Sequence, residues 1–254
     1  MNLPGKKYIY RTLSVIFILL VWKLGSLWLK NNLILPSPEN TFAAFVRLLE
    51  SASFYKALGF TLLRGAAGMI LAIVLATLLG TWAGMNAAFH AFLEPILVIV
   101  RSTPVISFIL LALIWMGPEN VPVFISLLTM FPLICTGIIS GIRNTDKELV
   151  DMAHVYGVRR LRMIRGLYFP SLMPYLFNGL SNAMGFGWRA VIIGEVLSQP
   201  RWGLGTEMQL AQTYLLVSNV ISWTIVAVLL GYLFEWLLQR IMAYTMKWKE
   251  VEVQ

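Results

Sequence analysis

Charge is scarce in this chain, and it gathers where side chains can act: in one polar segment, Glu148 to Pro170, and at isolated ionisable residues inside apolar runs, chiefly Arg101, Arg189 and Glu195. The polar segment opens with Glu148 and Asp151, continues through Met152, Ala153, Tyr156 and Gly157, and ends in Arg159, Arg160, Arg162 and Arg165. Acids, a small residue, a glycine and arginines in that order suit recognition of another protein more than bond-making. Lys147 to Val155 reads as a short helix with Leu149, Val150 and Ala153 on one side and Glu148 and Asp151 complementing its N-terminal dipole. Gly157 is placed to end it with positive φ. A second helix would carry the four arginines to Pro170, which with Pro174 redirects the chain into the next hydrophobic run. Such a helix-turn-helix is a rigid element able to pass motion from a soluble subunit to its neighbours.

Bond-making chemistry has little to work with. The only histidines, His90 and His154, are too distant in the inferred topology to imply a shared site, and both read as surface or interface residues. Ser-His-Asp, P-loop, dinucleotide-fingerprint and His-Glu-x-x-His patterns are absent. The single cysteine, Cys135, lies in an apolar run, which excludes an internal disulfide and a cysteine-based metal cluster. If the protein moves a solute uphill, its energy source lies elsewhere.

The elements that position these residues belong to a bilayer. The 254 residues are 58% hydrophobic and 13% charged, with a mean hydropathy of +0.75. Crossing about 30 Å of hydrocarbon takes roughly 20 helical residues. Six segments meet or approach that length: 8–29, 58–84, 92–116, 121–142, 174–198 and 218–244. Runs of this length are helices, since barrel strands are about half as long and alternate. The fold class is all-α, a polytopic membrane protein with about six transmembrane helices.

Basic residues fix the expected orientation. With both termini cytoplasmic, inner segments collect Lys6, Lys7, Arg11, Arg143, Lys147, Arg159, Arg160, Arg162, Arg165, Arg240, Lys247 and Lys249. Outer segments collect Lys30, Arg47, Lys56 and Arg201. The polar loop, 143–173, therefore faces the cytoplasm. The net charge of +8 is a topological signal first and only weakly an argument for anionic lipid or nucleic acid, and no solvated domain is expected to grip a nucleic acid. The first span lacks a small-residue cleavage site and outruns a signal-peptide core, so it reads as a retained anchor.

Between the first two spans, Ser37 is an N-cap and Pro38 a first helical residue. Phe42, Phe45, Val46 and Leu49 then form a stripe at helical spacing, either lying at the outer interface or packing on the bundle. No repeat, linker or low-complexity tract appears, so 1–254 reads as one domain.

Charges inside spans cost about 2.5–3.5 kcal/mol at the helix centre on insertion scales, enough to imply a role. At 1.5 Å per residue Arg189 lies about 14 Å inside the outer end of its span, near the midplane, with Glu195 about one turn from that end. Six residues turn about 240°, so the two are not an i,i+4 pair. Arg189 then either faces a pathway, where a pair of such arginines would attract an anion, or pairs with a carboxylate across an interface or on another span. Arg101, three residues before Pro104, has the reach to snorkel to the cytoplasmic side. Arg64 reads as snorkelling to outer headgroups, and Lys23 and Glu235 lie near membrane faces. The glycines Gly65, Gly68, Gly80, Gly84, Gly179, Gly185 and Gly187 suit close helix packing.

From Asp151 the loop reads Asp-Met-Ala-x-x-x-Gly-x(9)-Leu-x-Phe-Pro to Pro170. It resembles the EAA loop of bacterial ABC importer permeases. The whole chain is similar to the permease subunits of the nitrate, sulfonate and taurine group, through Arg101-Ser-Thr-Pro104, Trp115-Met-Gly117, Leu35-Pro-Ser-Pro38, Glu195, Trp202-Gly-Leu-Gly205 and a basic tail. The resemblance implies a type I importer permease fold in the bacterial inner membrane, with two permease copies forming the pathway. Two cytoplasmic ATPases would bind ATP and Mg, and an extracytoplasmic binding protein would deliver a small anionic solute. It places Glu148, Asp151, Met152, Ala153, Tyr156, Gly157, Arg159 and Arg160 at the ATPase, Asp151 standing where the pattern has Glu and Met152 where it has Ala. No cofactor or metal is implied in this chain. The runner-up is a secondary transporter driven by an ion gradient, which needs an intramembrane ion site and inverted repeats. An intramembrane enzyme would need a nucleophile and base, or metal ligands, within the spans.

Overall fold

The computed structural model describes residues 4–245, all of whose regular structure is helical: α1 (Pro4–Leu29), α2 (Pro38–Glu50), α3 (Ala52–Met85), α4 (Ala87–Ser102), α5 (Val105–Arg143), α6 (Lys147–Val155), α7 (Arg160–Met163), α8 (Phe169–Ser198), α9 (Leu204–Thr213) and α10 (Val217–Thr245). A five-residue π-helical turn, Ile164–Tyr168, joins α7 to α8. Lys247 and Lys249 lie outside the described residues, as do the side chains of Lys6, Lys7 and Arg11.

Four of these helices, α1 from Thr12, α3, α5 and α10, are long and apolar enough to cross a membrane. The expected 92–116 and 121–142 runs are distributed differently. The first breaks at Thr103–Pro104 into α4 and the opening arm of α5, and α5 itself reverses at Gly117, whose φ of 69° and ψ of 168° are not helical. Ile109 and Ala112 consequently share a buried cluster with Val121 and Ile125. In a straight helix Ile109 and Ile125 would stand about 24 Å apart. The 39 residues of α5 are thus a helical hairpin.

Small residues set the packing. On α3 the buried face runs Thr61, Arg64, Gly68, Ala72, Ala76, Gly80 and Ala83, a stripe of three- and four-residue spacings. A side chain at Gly68 would collide with Ser126, and one at Gly84 with Ile142, so α3 and α5 approach at backbone distance. Likewise Gly137 and Gly141 of α5 admit Tyr175 and Leu172 of α8, and Gly187 of α8 admits Met130. The resulting core joins Ala72, Ala76, Ile134, Ile138 and Ala183. α8 spends its small residues on protein contacts, which is why it can carry Asn178, Asn182 and Arg189 and fall below the hydropathy of a lipid-facing span.

Pro170 and Pro174 do not redirect the chain, contrary to the sequence expectation. Helical geometry persists through Met163, Ile164, Tyr168 and Phe169 into α8, which begins five residues before the predicted span. Pro170 follows the π turn and stands four residues after Gly166, so its ring meets a widened ladder and no side chain there.

Between α1 and α3, α2 begins as its sequence dictates, with Ser37 Oγ accepting from Asn40 N at 3.3 Å and Pro38 in the first turn. The face it packs is Thr41, Ala44, Phe45 and Leu48, against Phe54, Trp223 and Val226. Phe42, Val46 and Leu49 of the predicted stripe stay uncovered. α1 touches α2 and the loop before it: Trp22 Nε1 donates to Pro36 O at 3.0 Å, and Lys23 pairs with Glu39 at 2.6 Å.

Candidate functional site

Three constellations arise from this scaffold. The first is α6. Asp146 Oδ1 accepts from Glu148 N at 2.9 Å and caps the helix, a cap that the sequence reading missed although its type and place are those of an N-cap. At the other end Gly157, φ 62°, donates to His154 O at 3.0 Å while Val158 N donates to Ala153 O at 2.9 Å, the paired bonds of a Schellman motif. Ala153 is buried and Val150 half-buried, so this face holds α6 to the body. Leu149, expected beside them, instead points outward at 42% exposure, with Met152 at 51%, Tyr156 at 79% and Val155 at 85%. Glu148, Asp151 and Gly157 are exposed around this apolar patch, as are Arg159 and Arg160 beyond it. His154 turns Nδ1 to Val150 O at 3.0 Å. A groove of about 530 Å³, lined by Met85, Ile142, Arg143, Val150, Asp151 and Tyr168, separates α6 from the helix ends above it.

The second constellation was not legible in the sequence. Arg64 and Glu195 are buried, at 6% and 0% exposure, and form an ion pair at 3.0 Å. Arg64 therefore does not snorkel to headgroups. Its Nη1 also donates to Trp202 O, and Nη2 reaches Glu119 Oε2 at 2.5 Å. Glu119, in the turn of the α5 hairpin, uses Oε1 to accept from Arg201 N at 2.7 Å. The carboxylate of Glu195 further accepts from Gly205 N at 3.0 Å and lies 2.9 Å from Thr61 Oγ1, itself the acceptor for Leu204 N at 2.8 Å. A buried charge is tolerated only when its lone pairs are met, and here every neighbour supplies a donor. The Trp202-Gly-Leu-Gly205 run has a local reason: a side chain at Gly203 or Gly205 would occupy the space of Glu195. The signals available beforehand were a carboxylate and a guanidinium in apolar helices, 131 residues apart.

The third comprises the other intramembrane arginines. Arg189 is exposed and lines a groove of about 380 Å³ between α8 and α10, with Ser181, Trp188, Thr224, Tyr232 and Glu235. No carboxylate among the described residues lies within ion-pair distance of it, and it does not meet Glu195. Trp188 Nε1 donates to Ala227 O at 2.9 Å and fixes the floor of this groove. Arg101, in the last turn of α4, is also exposed and lines a separate cavity of about 300 Å³ with Thr103, Thr129, Leu133 and Phe186. Phe186 and Arg189 lie one helical turn apart on α8, so the two grooves flank one another. Glu195 is sealed away from both.

Residues 68–245 match the family described as the binding-protein-dependent transport system inner membrane component. Among curated relatives, the chain is 29% identical to SsuC of Escherichia coli (strain K12), a permease protein named for aliphatic sulfonates transport, over 98% of this chain and 96% of that one. It is 22% identical to the taurine transport system permease protein TauC of the same organism, over 91% and 87% of the two chains. The bicarbonate transport system permease protein CmpB of Synechococcus elongatus is 25% identical over 79% of this chain and 70% of its own. ATP is bound in this family by a partner ATPase. The chain belongs to the binding-protein-dependent inner membrane components: it is a multi-pass permease subunit of an ABC transporter, and not itself an ATPase.

Proposed function

We propose that this permease is one transmembrane domain of six passes with both termini cytoplasmic, that two copies form the pathway, and that the assembly imports a small anionic solute. The six passes are α1, α3, α4 with the first arm of α5, the second arm of α5, α8 and α10. In this reading the segment 143–173 faces the cytoplasm and α6 is the coupling helix, seated in a cleft of the ATPase. The observation that carries it is the uncovered apolar patch Leu149, Met152, Val155 and Tyr156 on a helix capped at both ends and backed by Ala153. A charged loop has no reason to leave four large apolar side chains in water unless a partner covers them. Glu148, Asp151, Gly157, Arg159 and Arg160 rim that contact.

The anionic cargo is supported by Arg189 and by the relatives: sulfonates, taurine and bicarbonate all present an oxyanion. Arg189, and Arg101 beside the neighbouring groove, supply positive potential along the path, and Glu195 serves the bundle as a brace. An extracytoplasmic solute-binding protein delivers the cargo from the side of Arg201 and Trp202. The experiment is uptake of radiolabelled sulfonates, taurine and bicarbonate by cells expressing the full transporter. Saturable, ATP-dependent, binding-protein-dependent uptake of one anion is the expected result. Transport by this chain alone in liposomes, driven by an ion gradient, would overturn the reading.

A further inference from the structure

The four arginines of the 159–165 stretch divide into two groups. Arg159, Arg162 and Arg165 follow one another at three-residue spacing and line a single cleft of about 430 Å³ with Leu161 and Gly166. Arg160 does not line it. All three guanidinium groups belong to exposed residues, no carboxylate lines the cleft, and none of the three is within ion-pair distance of an acid among the described residues. Gly166 leaves its floor open, with nothing within 4 Å of where a Cβ would stand. Leu161 at 62% exposure and Ile164 at 44% put uncovered apolar surface beside the charges.

The level of the cleft in the bundle identifies its occupant. Tyr168 packs against the main core cluster and shares a groove with Ile142, Arg143, Gly84 and Met85. That is where α5 passes from Ile142 into Arg143 and Asn144, and where α3 ends. Arg165 is three residues before Tyr168 and Arg162 three before that, on one helical run that leads away from the core contacts of Tyr168. Two guanidinium groups within a turn or two of the apolar boundary, flanked by exposed leucine and isoleucine, match a phosphate with acyl chains attached. A guanidinium fork takes phosphate oxygens two at a time.

We propose that Arg162 and Arg165 clamp the headgroup phosphate of an anionic phospholipid, in a cleft that adjoins the coupling surface at Arg159. The clamp sits on the π turn, where the helical ladder between α7 and α8 is at its weakest, so a bound lipid ties that joint to the membrane surface. The proposal requires that α5 and α8 cross the bilayer; it does not depend on what docks on α6.

The test is native mass spectrometry of the purified permease–ATPase complex, delipidated and titrated with phosphatidylglycerol or phosphatidylcholine. Wild type is expected to retain phosphatidylglycerol in preference to phosphatidylcholine. The double variant Arg162→Gln/Arg165→Gln is expected to bind phosphatidylglycerol roughly 30-fold more weakly, since each basic residue near an anionic surface contributes about 1 kcal/mol. Arg162→Lys/Arg165→Lys is expected to recover most of the binding. If the double Gln variant fails to assemble, each single Gln variant is read in the same way, with about a fivefold loss expected. Equal binding of the two lipids, or unchanged phosphatidylglycerol binding in the Gln variants, overturns the proposal. So does displacement of the lipid by millimolar inorganic phosphate, which marks a free-anion site. Loss of the ATPase from the double Gln variant with lipid binding intact marks a protein contact and also overturns it, whereas failure of the α6 reading alone leaves the lipid result untouched.

Discussion

Glu195 of α8 and Arg64 of α3, 131 residues apart in the chain, meet at 3.0 Å with almost no accessible surface between them. Around this pair the first half of α3, the C-terminal end of α8, the turn of the α5 hairpin and the loop into α9 become one unit. The pair is a point of assembly, and it explains why two residues that are costly in a membrane are kept.

Removing Arg64 strands the buried carboxylate of Glu195, whereas Arg64 without Glu195 keeps its pair with Glu119. Arg64→Met is expected to lower the unfolding free energy by about 3–5 kcal/mol, and Glu195→Met by less, measured by thermal unfolding of the detergent-solubilised protein. Arg64→Met/Glu195→Met together are expected to cost less than Arg64→Met alone, because no unpaired carboxylate stays buried. A double variant worse than both singles would count against the brace.

At Gly157 the backbone is left-handed with open space around it, so substitution strains the turn without a collision. Gly157→Val is expected to cost at least 1–2 kcal/mol locally, distorting the end of α6 while the spans fold. Co-purification of the ATPase checks this: it should be lost, with the permease still monodisperse by gel filtration.

Arg189 is exposed and unpaired among the described residues, so Arg189→Met removes charge from a groove without orphaning a carboxylate. Uptake of the cognate anion is expected to fall at least tenfold with thermal stability essentially unchanged. Normal uptake in a correctly assembled variant would rule out a pathway role.

Two glycines of α3 separate packing from propensity. A methyl group added at Gly59 would find nothing within 4 Å, whereas one at Gly68 would meet Ser126 and the Val123 carbonyl. Gly59→Ala is expected to be neutral or stabilising by up to about 1 kcal/mol, and Gly68→Ala to destabilise by about 1–3 kcal/mol. Unfolding midpoints of the two variants give the comparison.

Glu39 is held down to about 2, chiefly by its hydrogen bond with Lys23 and next by backbone and Ser37 donors at the start of α2. A depressed carboxylate contributes stability above its unfolded value of 4.5, and that contribution is lost as pH falls through about 2. The contact between α1 and α2 is therefore expected to be unaffected between pH 5 and 8. Following the Glu39 carboxyl carbon by NMR should show the low value in wild type and a return toward 4.5 in Lys23→Met.

Local signals made α6 legible: acids at its start, a glycine past its end and an exposed polar setting gave both of its limits. The same is true of α2, where Ser37 and Pro38 announce the helix. The small-residue stripe of α3 was legible as packing, though not which residues it meets. Arg64 was misread because the groups that rescue a buried arginine, Glu119, Glu195 and the Trp202 carbonyl, come from three distant segments that spacing does not connect. Pro170 was misread because a proline's effect depends on the ladder before it, and the π turn is not written in the residues that follow. Glu195 stood out correctly as a costly charge, and only tertiary structure gave it a partner.

The helical run from Arg160 through the π turn to Ser198 is tied to Arg64 at Glu195 and seated on α5 where Leu172 and Tyr175 meet Gly141 and Gly137, so a push at Arg160 is carried along one helical run to the buried ion pair.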